Sequence, residues 1–199
     1  MKTIFSPPSL DDLIRLLKAW RFWILGAVIG ALIGAAVYYV APPPYRARAT
    51  VNVDFNLEEA FPTDTDRQYF YYLERETRKM IELAWLDDVL NQLQGFSIEE
   101  LRNEKLNISQ PAEAGWHFYA DDKNPQVAEE LASAWVNAFA EKIQDEIEAG
   151  NINPFVKLEV TQSEDLPIEK NVPLSSYLLS GASIFLLIAV FFVLFIKPK

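Results

Sequence analysis

FWILGAVIGALIGAAVYYV, residues 22–40, has no charged side chain, and neither has YLLSGASIFLLIAVFFVLFI, residues 177–196. Each stretch has about the ~20 apolar residues that a helix needs to cross the hydrocarbon core of a bilayer. A charge at mid-bilayer would cost roughly 2.5–3.5 kcal/mol on insertion scales. The sequence therefore predicts two transmembrane helices near the ends of the 199-residue chain, with everything between them on one side of the membrane.

The first stretch also has to be distinguished from a cleavable signal peptide. The apolar core of a signal peptide is shorter, ~7–15 residues, and is followed by a small-residue cleavage site. Here the apolar run is longer and ends at Ala41, before three prolines, where no such site is evident. We therefore expect this helix to be retained.

Basic residues beside the two stretches predict the orientation, because Lys and Arg near span ends are held on the cytoplasmic side. Four basic residues precede the first stretch and two follow the second: Lys2, Arg15, Lys18, Arg21, Lys197 and Lys199. We expect a multi-pass protein of the cell (inner) membrane with both termini in the cytoplasm. The predicted parts are a cytoplasmic amphipathic segment (1–21), a first span (22–40), an extracytoplasmic domain (41–174), a second span (175–196) and a cytoplasmic tail (197–199).

The charge of the central region excludes one class of partner. Residues 41–174 carry 12 basic and 26 acidic side chains. Such an acidic surface repels phosphate backbones, so nucleic-acid binding is not expected. The chain has no cysteine and therefore neither disulfides nor thiolate chemistry, which fits an exported domain.

Residues 41–174 are enough for one domain with its own core, and they mix strand and helix patterns. Alternation predicts a half-buried strand over 45–55, and further strands are predicted over 105–110, 116–120 and 155–160. Helical spacing predicts a helix over 66–93, continuous or broken near 84–87, a short helix capped by Ser97, and a helix from Asn124-Pro125 to Gly150. The predicted fold class is α+β, a mixed α/β base domain between two terminal transmembrane helices.

The order of these features resembles the Wzz-type chain-length determinants, also called polysaccharide co-polymerases. PPYRARATV (43–51) resembles the family's strand leaving the membrane, and NPQVAEELASAW (124–135) is similar to its DP-x-x-A-x-x-LAN-x-x helix. Pro167 and Pro173 stand where the family has a proline-rich return to the second span. Familiar members have long helices that build a tall hollow oligomer, whereas this chain is similar to the membrane-proximal base and to a short form without a kinase domain.

The resemblance implies a non-enzymatic homo-oligomeric membrane scaffold that regulates the chain length or export of a surface polysaccharide: lipopolysaccharide O-antigen, capsule or exopolysaccharide. It implies membrane lipid and a polysaccharide polymerase or its glycan as partners. A membrane activator of a separate tyrosine kinase is a related alternative. A two-span extracytoplasmic ligand sensor or a small channel subunit is an alternative from another class, although no output domain or polar pore-lining segment is evident.

The search for chemistry finds little. His117 is the only histidine, so one chain cannot assemble a His-based metal cluster or a Ser-His-Asp arrangement. We interpret His117 as a packed or surface strand residue, and the pairs Asp87-Asp88 and Asp121-Asp122 as solvated surface. No phosphate-binding loop pattern occurs. The sequence predicts no catalytic, cofactor-binding or metal-binding residue, and therefore no enzyme and no cofactor.

Four aromatic residues are candidates for sugar contact, but each fits a core or subunit interface equally well, so none is assigned: Tyr69, Tyr71, Tyr72 and Trp116. The first apolar stretch does carry a packing pattern, with Gly26, Gly30 and Gly34 at four-residue intervals. Glycines at this spacing lie on one helix face and let another backbone approach closely. They predict a helix-packing face whose partner is either the second span or another subunit.

Overall fold

The structure, a computed structural model, describes residues 10–63, 66–109, 115–162 and 164–195. Two compact units are present. The described residues up to Pro43 and from Val172 onward form a helical unit, and the described residues of Pro44–Asn171 form an α+β unit. The beginning of the predicted cytoplasmic segment (1–9) and the predicted cytoplasmic tail (197–199) lie outside the described residues.

The helices and strands follow one another in this order: α1 (Leu10–Lys18), α2 (Trp20–Val40), β1 (Tyr45–Asp54), α3 (Leu57–Ala60), α4 (Asp66–Ala84), α5 (Asp87–Leu90), α6 (Ile98–Glu100), a π-helical turn (Leu101–Lys105), β2 (Leu106–Ser109), β3 (Gly115–Asp122), α7 (Pro125–Glu148), β4 (Lys157–Gln162), β5 (Ile168–Lys170) and α8 (Leu174–Phe195). Fold class α+β is confirmed, with one apolar helix near each end of the chain.

The helical unit consists of α1, α2 and α8. Both α2 and α8 are long and apolar enough to cross a membrane. α1 ends at Lys18 because Ala19 leaves the helical conformation, with φ −85° and ψ 15°, and α2 starts at the next residue. α2 therefore begins two residues before the predicted span.

The α+β unit is built on a five-stranded antiparallel sheet. The strand order is β2-β3-β1-β4, and β5 also pairs with β1, opposite Tyr45 to Ala47. β1 is the central strand, with Arg46 opposite Asp121 and Thr50 opposite His117 on β3. Between Thr50 and Val51 its register with β4 shifts, as at a β-bulge.

One face of the sheet forms the core because apolar residues alternate along β1. Four of these side chains are buried, and polar ones lie between them: Ala47, Ala49, Val51 and Val53. α7 packs on this face through Trp135 and Phe139, whose rings lie 4.7 and 4.9 Å from that of Phe118 between centroids. Burying these aromatic side chains supplies much of the apolar area that stabilises the unit.

A buried hydrogen bond joins α7 to the end of α4. Trp135 donates its indole N–H to the carbonyl oxygen of Ala84 at 2.9 Å. Ala84 is the last residue of α4, so its carbonyl has no partner within that helix. The bond therefore satisfies two buried polar groups at once, and it fixes the point where the polypeptide leaves α4.

Several predicted boundaries are confirmed and others are wrong. The alternative break near Ala84 is present, and Asn124 caps α7 by accepting a hydrogen bond from the amide of Gln126 at 3.0 Å. The last long strand was predicted over 155–160 but covers Lys157–Gln162, because the amides of Phe155 and Val156 are bonded to Asn153 in a turn. β5 and the π-helical turn were not predicted.

Candidate functional site: the glycine face of the paired helices

The three predicted packing glycines of α2 all face α8. Gly30 and Gly34 are the buried residues of α2. A Cβ built on Gly26 would lie 3.0 Å from Cβ of Ala189, whereas the neighbours of Gly34 belong to Tyr177 and Leu178. As the residue number falls along α2 it rises along α8, so the two helices are antiparallel.

The closest approach lies between Gly30 and Gly181. A Cβ added to Gly30 would lie 2.7 Å from Cβ of Phe185, and it would be closer still to the carbonyl oxygen of Gly181. A Cβ added to Gly181 would in turn overlap the carbonyl oxygen of Gly30. These neighbours are mostly backbone atoms, which cannot rotate away as a flexible side chain can. Glycine is therefore required at both Gly30 and Gly181.

This geometry identifies a partner within the chain for the glycine face. For a helix pair in lipid, apolar side chains would gain nothing from leaving their surroundings, so close backbone packing is what would hold the two helices together. The alternative partner was a second subunit, but α8 already occupies this face of α2. The remaining faces of α2 expose large apolar residues instead, among them Leu25 at 56% and Leu32 at 65%.

At the end where α2 finishes and α8 begins, aromatic rings and a groove flank the glycine contact. The rings of Tyr38 and Tyr177 meet edge to face with centroids 5.4 Å apart. Beside them lies an apolar groove of about 420 Å³, whose lining includes Ile33, Ser176 and Ile184.

The α+β unit contains two partly buried ion pairs at adjacent residues. Arg46 donates two hydrogen bonds of 2.7 Å to the carboxylate of Asp121, and Lys105 donates one of 2.6 Å to Asp122. Both aspartate side chains are only 14% exposed. The prediction that they are solvated surface is therefore wrong, because β3 directs each of them toward a basic partner on a neighbouring element.

The other acidic pair includes an exposed residue. The side chain of Asp87 is 63% exposed and forms an ion pair of 2.6 Å with Arg102. This agrees with the interpretation of Asp87 as surface.

The pKa values near these ion pairs follow from burial and hydrogen bonding. Burial alone would raise the pKa of Asp122, but the amide of Asn124 and the ammonium of Lys105 outweigh that effect and lower it. His117 lies on β3, half-buried, with Nδ1 3.2 Å from Oγ1 of Thr50. Burial, and secondarily the charge of Arg48, lower the pKa of His117. Its position fits a packed strand residue.

The aromatic candidates for sugar contact fall into different environments. Trp116 is 1% exposed and Tyr72 is 7% exposed, so both belong to the core. Tyr71 is 60% exposed on α4, beside the exposed ring of Phe70. The side chain of Tyr69 lies outside the described part of the chain.

Within the ranges that the structure describes, no three His, Asp or Glu side chains are grouped so that they could hold a metal ion. The predicted packing glycines lie together with Gly181 in one helix contact. His117 and the two aspartate pairs are instead spread over the α+β unit. The ion pair of Arg46 with Asp121 was missed because it depends on strand register, which the local sequence does not show. No protein-family model matches this chain, and no curated protein matches its sequence.

Proposed function

We propose that this chain is a non-enzymatic, homo-oligomeric scaffold of the cell membrane that regulates the chain length or export of a surface polysaccharide. The order of elements carries the proposal. An apolar helix stands near each end of the chain, and a single α+β unit lies between the two. This is the order for which the sequence resembles the Wzz-type co-polymerases.

The two motifs that carry the resemblance support the proposal, because they occupy adjoining elements. Residues 45–51 form the first part of β1, and residues 125–135 form the first half of α7, which packs on β1. Motifs far apart in the sequence therefore belong to one structural core. This supports a common architecture more strongly than two isolated short motifs would.

The antiparallel packing of α2 and α8 supports the proposed topology. It puts the start of α2 and the end of α8 at the same end of the helix pair. In the sequence, five basic residues precede α2 or follow α8, and Arg21 is the second residue of α2. Under the rule that basic flanks stay inside, both termini are cytoplasmic and the acidic α+β unit is extracytoplasmic.

In the proposed mechanism, several copies stand side by side in the membrane and present repeated surfaces to a separate polymerase or its growing glycan. The chain needs no catalytic group for this role, because the polymerase performs the chemistry. The oligomer sets how long the glycan and the polymerase stay together.

Deletion of the gene tests the proposal, with surface glycan separated by length on a gel. We expect the length distribution to change on deletion and to return with the intact chain. Native mass spectrometry of the protein in lipid should show a discrete oligomer. An unchanged glycan pattern in the deletion strain, or a stable monomer in lipid, would contradict the proposed role.

A further inference from the structure

α1 carries an apolar stripe that no other part of the described chain covers. Leu10, Ile14 and Leu17 are 77%, 41% and 71% exposed, and they are spaced at i, i+4 and i+7. Residues at this spacing lie along one side of a helix. An exposed stripe of large apolar side chains is costly in water and therefore indicates a surface that is covered in the working protein.

A short connection holds the apolar stripe of α1 beside the start of α2. Only Ala19 separates the two helices. The indole of Trp23 donates a hydrogen bond of 3.0 Å to the carbonyl oxygen of Leu16, which ties the first turn of α2 to the last turn of α1. α1 therefore stays beside the first residues of α2, where Trp20 and Phe22 are also exposed, at 49% and 53%.

The charge of this segment differs from that of the rest of the chain. Residues 1–21 contain four basic and two acidic side chains, whereas residues 41–174 are strongly acidic. Arg15 and Lys18 belong to the last turn of α1, and Arg21 lies above the ring of Trp20 at 5.4 Å. Basic side chains beside an apolar stripe suit the boundary between anionic headgroups and acyl chains.

We infer that α1 is a lipid-binding helix that lies in the membrane interface, with its apolar stripe among the acyl chains and its basic residues on anionic phospholipid headgroups. The inference goes beyond the scaffold role and depends only on the membrane insertion of α2 in the proposed function. The occupant is lipid because Trp20 and Phe22, which follow the stripe at the start of α2, are also apolar and exposed, and because basic side chains accompany the stripe. A helix held in this way fixes the depth and direction of the first span.

Spin labelling of the full chain tests this inference, and the lack of cysteine allows single labelled sites. Leu10→Cys, Ile14→Cys and Leu17→Cys report on the stripe, whereas Lys18→Cys is the matched site in the same turn. Leu32→Cys, exposed on α2, is the control for insertion, and Glu58→Cys in the α+β unit is the control for water. Each protein is reconstituted into vesicles of phosphatidylcholine mixed with phosphatidylglycerol.

We expect labels on the stripe to collide more often with dissolved oxygen than with a water-soluble nickel chelate, as the label at residue 32 does. The label at residue 18 should show the reverse preference. Replacement of phosphatidylglycerol by phosphatidylcholine should lower the oxygen preference at residue 17 by at least about twofold, because the headgroup attraction is lost. An unchanged preference would overturn the anionic-lipid part of the inference.

The controls separate failure of this inference from failure of the proposed membrane insertion. If residue 32 is protected but the stripe is as accessible to nickel as residue 58, α1 lies in water and the inference is wrong. If the stripe is shielded from both reagents, a protein surface covers it and the lipid assignment is wrong. If residue 32 itself is accessible to nickel, the proposed insertion of α2 has failed, and the inference that depends on it is overturned as well.

Discussion

Asp121 and Asp122 show how a strand separates two neighbours in sequence. Successive side chains on a strand point to opposite faces, so the two carboxylates reach different partners. Asp121 meets Arg46 across the sheet, whereas Asp122 meets Lys105, which immediately precedes β2. Acidic pairs are usually solvated, but the exposure of a carboxylate depends on which basic side chain the fold brings opposite to it.

His117 allows a prediction about a single residue. We expect the pKa of His117 in the folded chain to lie below its ordinary value of 6.5, because of burial first and the charge of Arg48 second. NMR titration measures it without ambiguity, since the chain has one histidine. Arg48→Gln should raise this pKa, whereas Lys157→Gln, an exposed substitution on β4, should leave it unchanged. A pKa at or above 6.5 in the intact chain would be inconsistent with this environment.

The same shift has a consequence for stability. A lowered pKa means that the folded chain binds the proton of His117 less tightly than the unfolded chain does. The contribution of His117 to the stability of the folded chain is therefore fully present above the unfolded pKa of about 6.5. It is lost as the pH falls through the lower folded pKa. The lowered pKa of Asp122 likewise adds stability that is lost as the pH falls, but in the acidic range below its ordinary pKa of 3.8.

At the scale of elements, the α2–α8 pair depends on backbone contact at glycine, and Gly30→Leu tests it. The new side chain would meet the backbone of Gly181. We therefore expect the free energy that holds α2 and α8 together to fall by about 1–3 kcal/mol or more, as at other overpacked sites. Ala36→Leu is the matched control, because it adds the same side chain at an exposed position of α2 and should change the pairing by less than about 0.5 kcal/mol.

The distance between spin labels at residues 39 and 179, both exposed, measures this pairing while the protein is titrated with denaturing detergent. The intact chain and the Ala36→Leu chain should keep one narrow distance up to similar detergent concentrations. The Gly30→Leu chain should show a broad or longer distance at lower concentrations. Equal behaviour of all three proteins would show that the glycine contact does not hold the helices together.

Strand elements could be predicted only where the sequence pattern was long enough. The ten residues of β1 alternate clearly, and the predicted strand agrees with the structure to within one residue. β5 has three residues, Ile168 to Lys170, and it exists because β1 offers an unpaired edge beyond the end of β4. Too short to show a period of its own, it could not be found from local sequence.

At the scale of the whole molecule, the proposed topology makes opposite predictions for the centre and the ends of the chain. A membrane-impermeant maleimide should label Glu58→Cys in cells whose cell membrane is intact, because the central unit is proposed to lie outside the cytoplasm. Lys2→Cys and Lys199→Cys should react only after that membrane is permeabilised. Labelling of both termini together with protection of residue 58 would place the α+β unit inside the cell and contradict the proposed role.

The sequence by itself determined the features that depend on composition and local period. The two apolar helices, the strand from Tyr45, the capped helix from Pro125 and the glycine spacing in α2 all follow from neighbours within a few turns or residues. Such local patterns record which side of an element is apolar and where its free backbone groups are capped. They do not record which element lies opposite.

Only the tertiary structure decided the pairings. It assigned the glycines of α2 to α8, Asp121 to Arg46, and the indole of Trp135 to the last carbonyl of α4. Each of these contacts joins residues more than 50 positions apart, so each depends on the register of strands or helices that meet only after folding. A short contact between distant residues is set by three-dimensional packing, and no local period in the sequence encodes it.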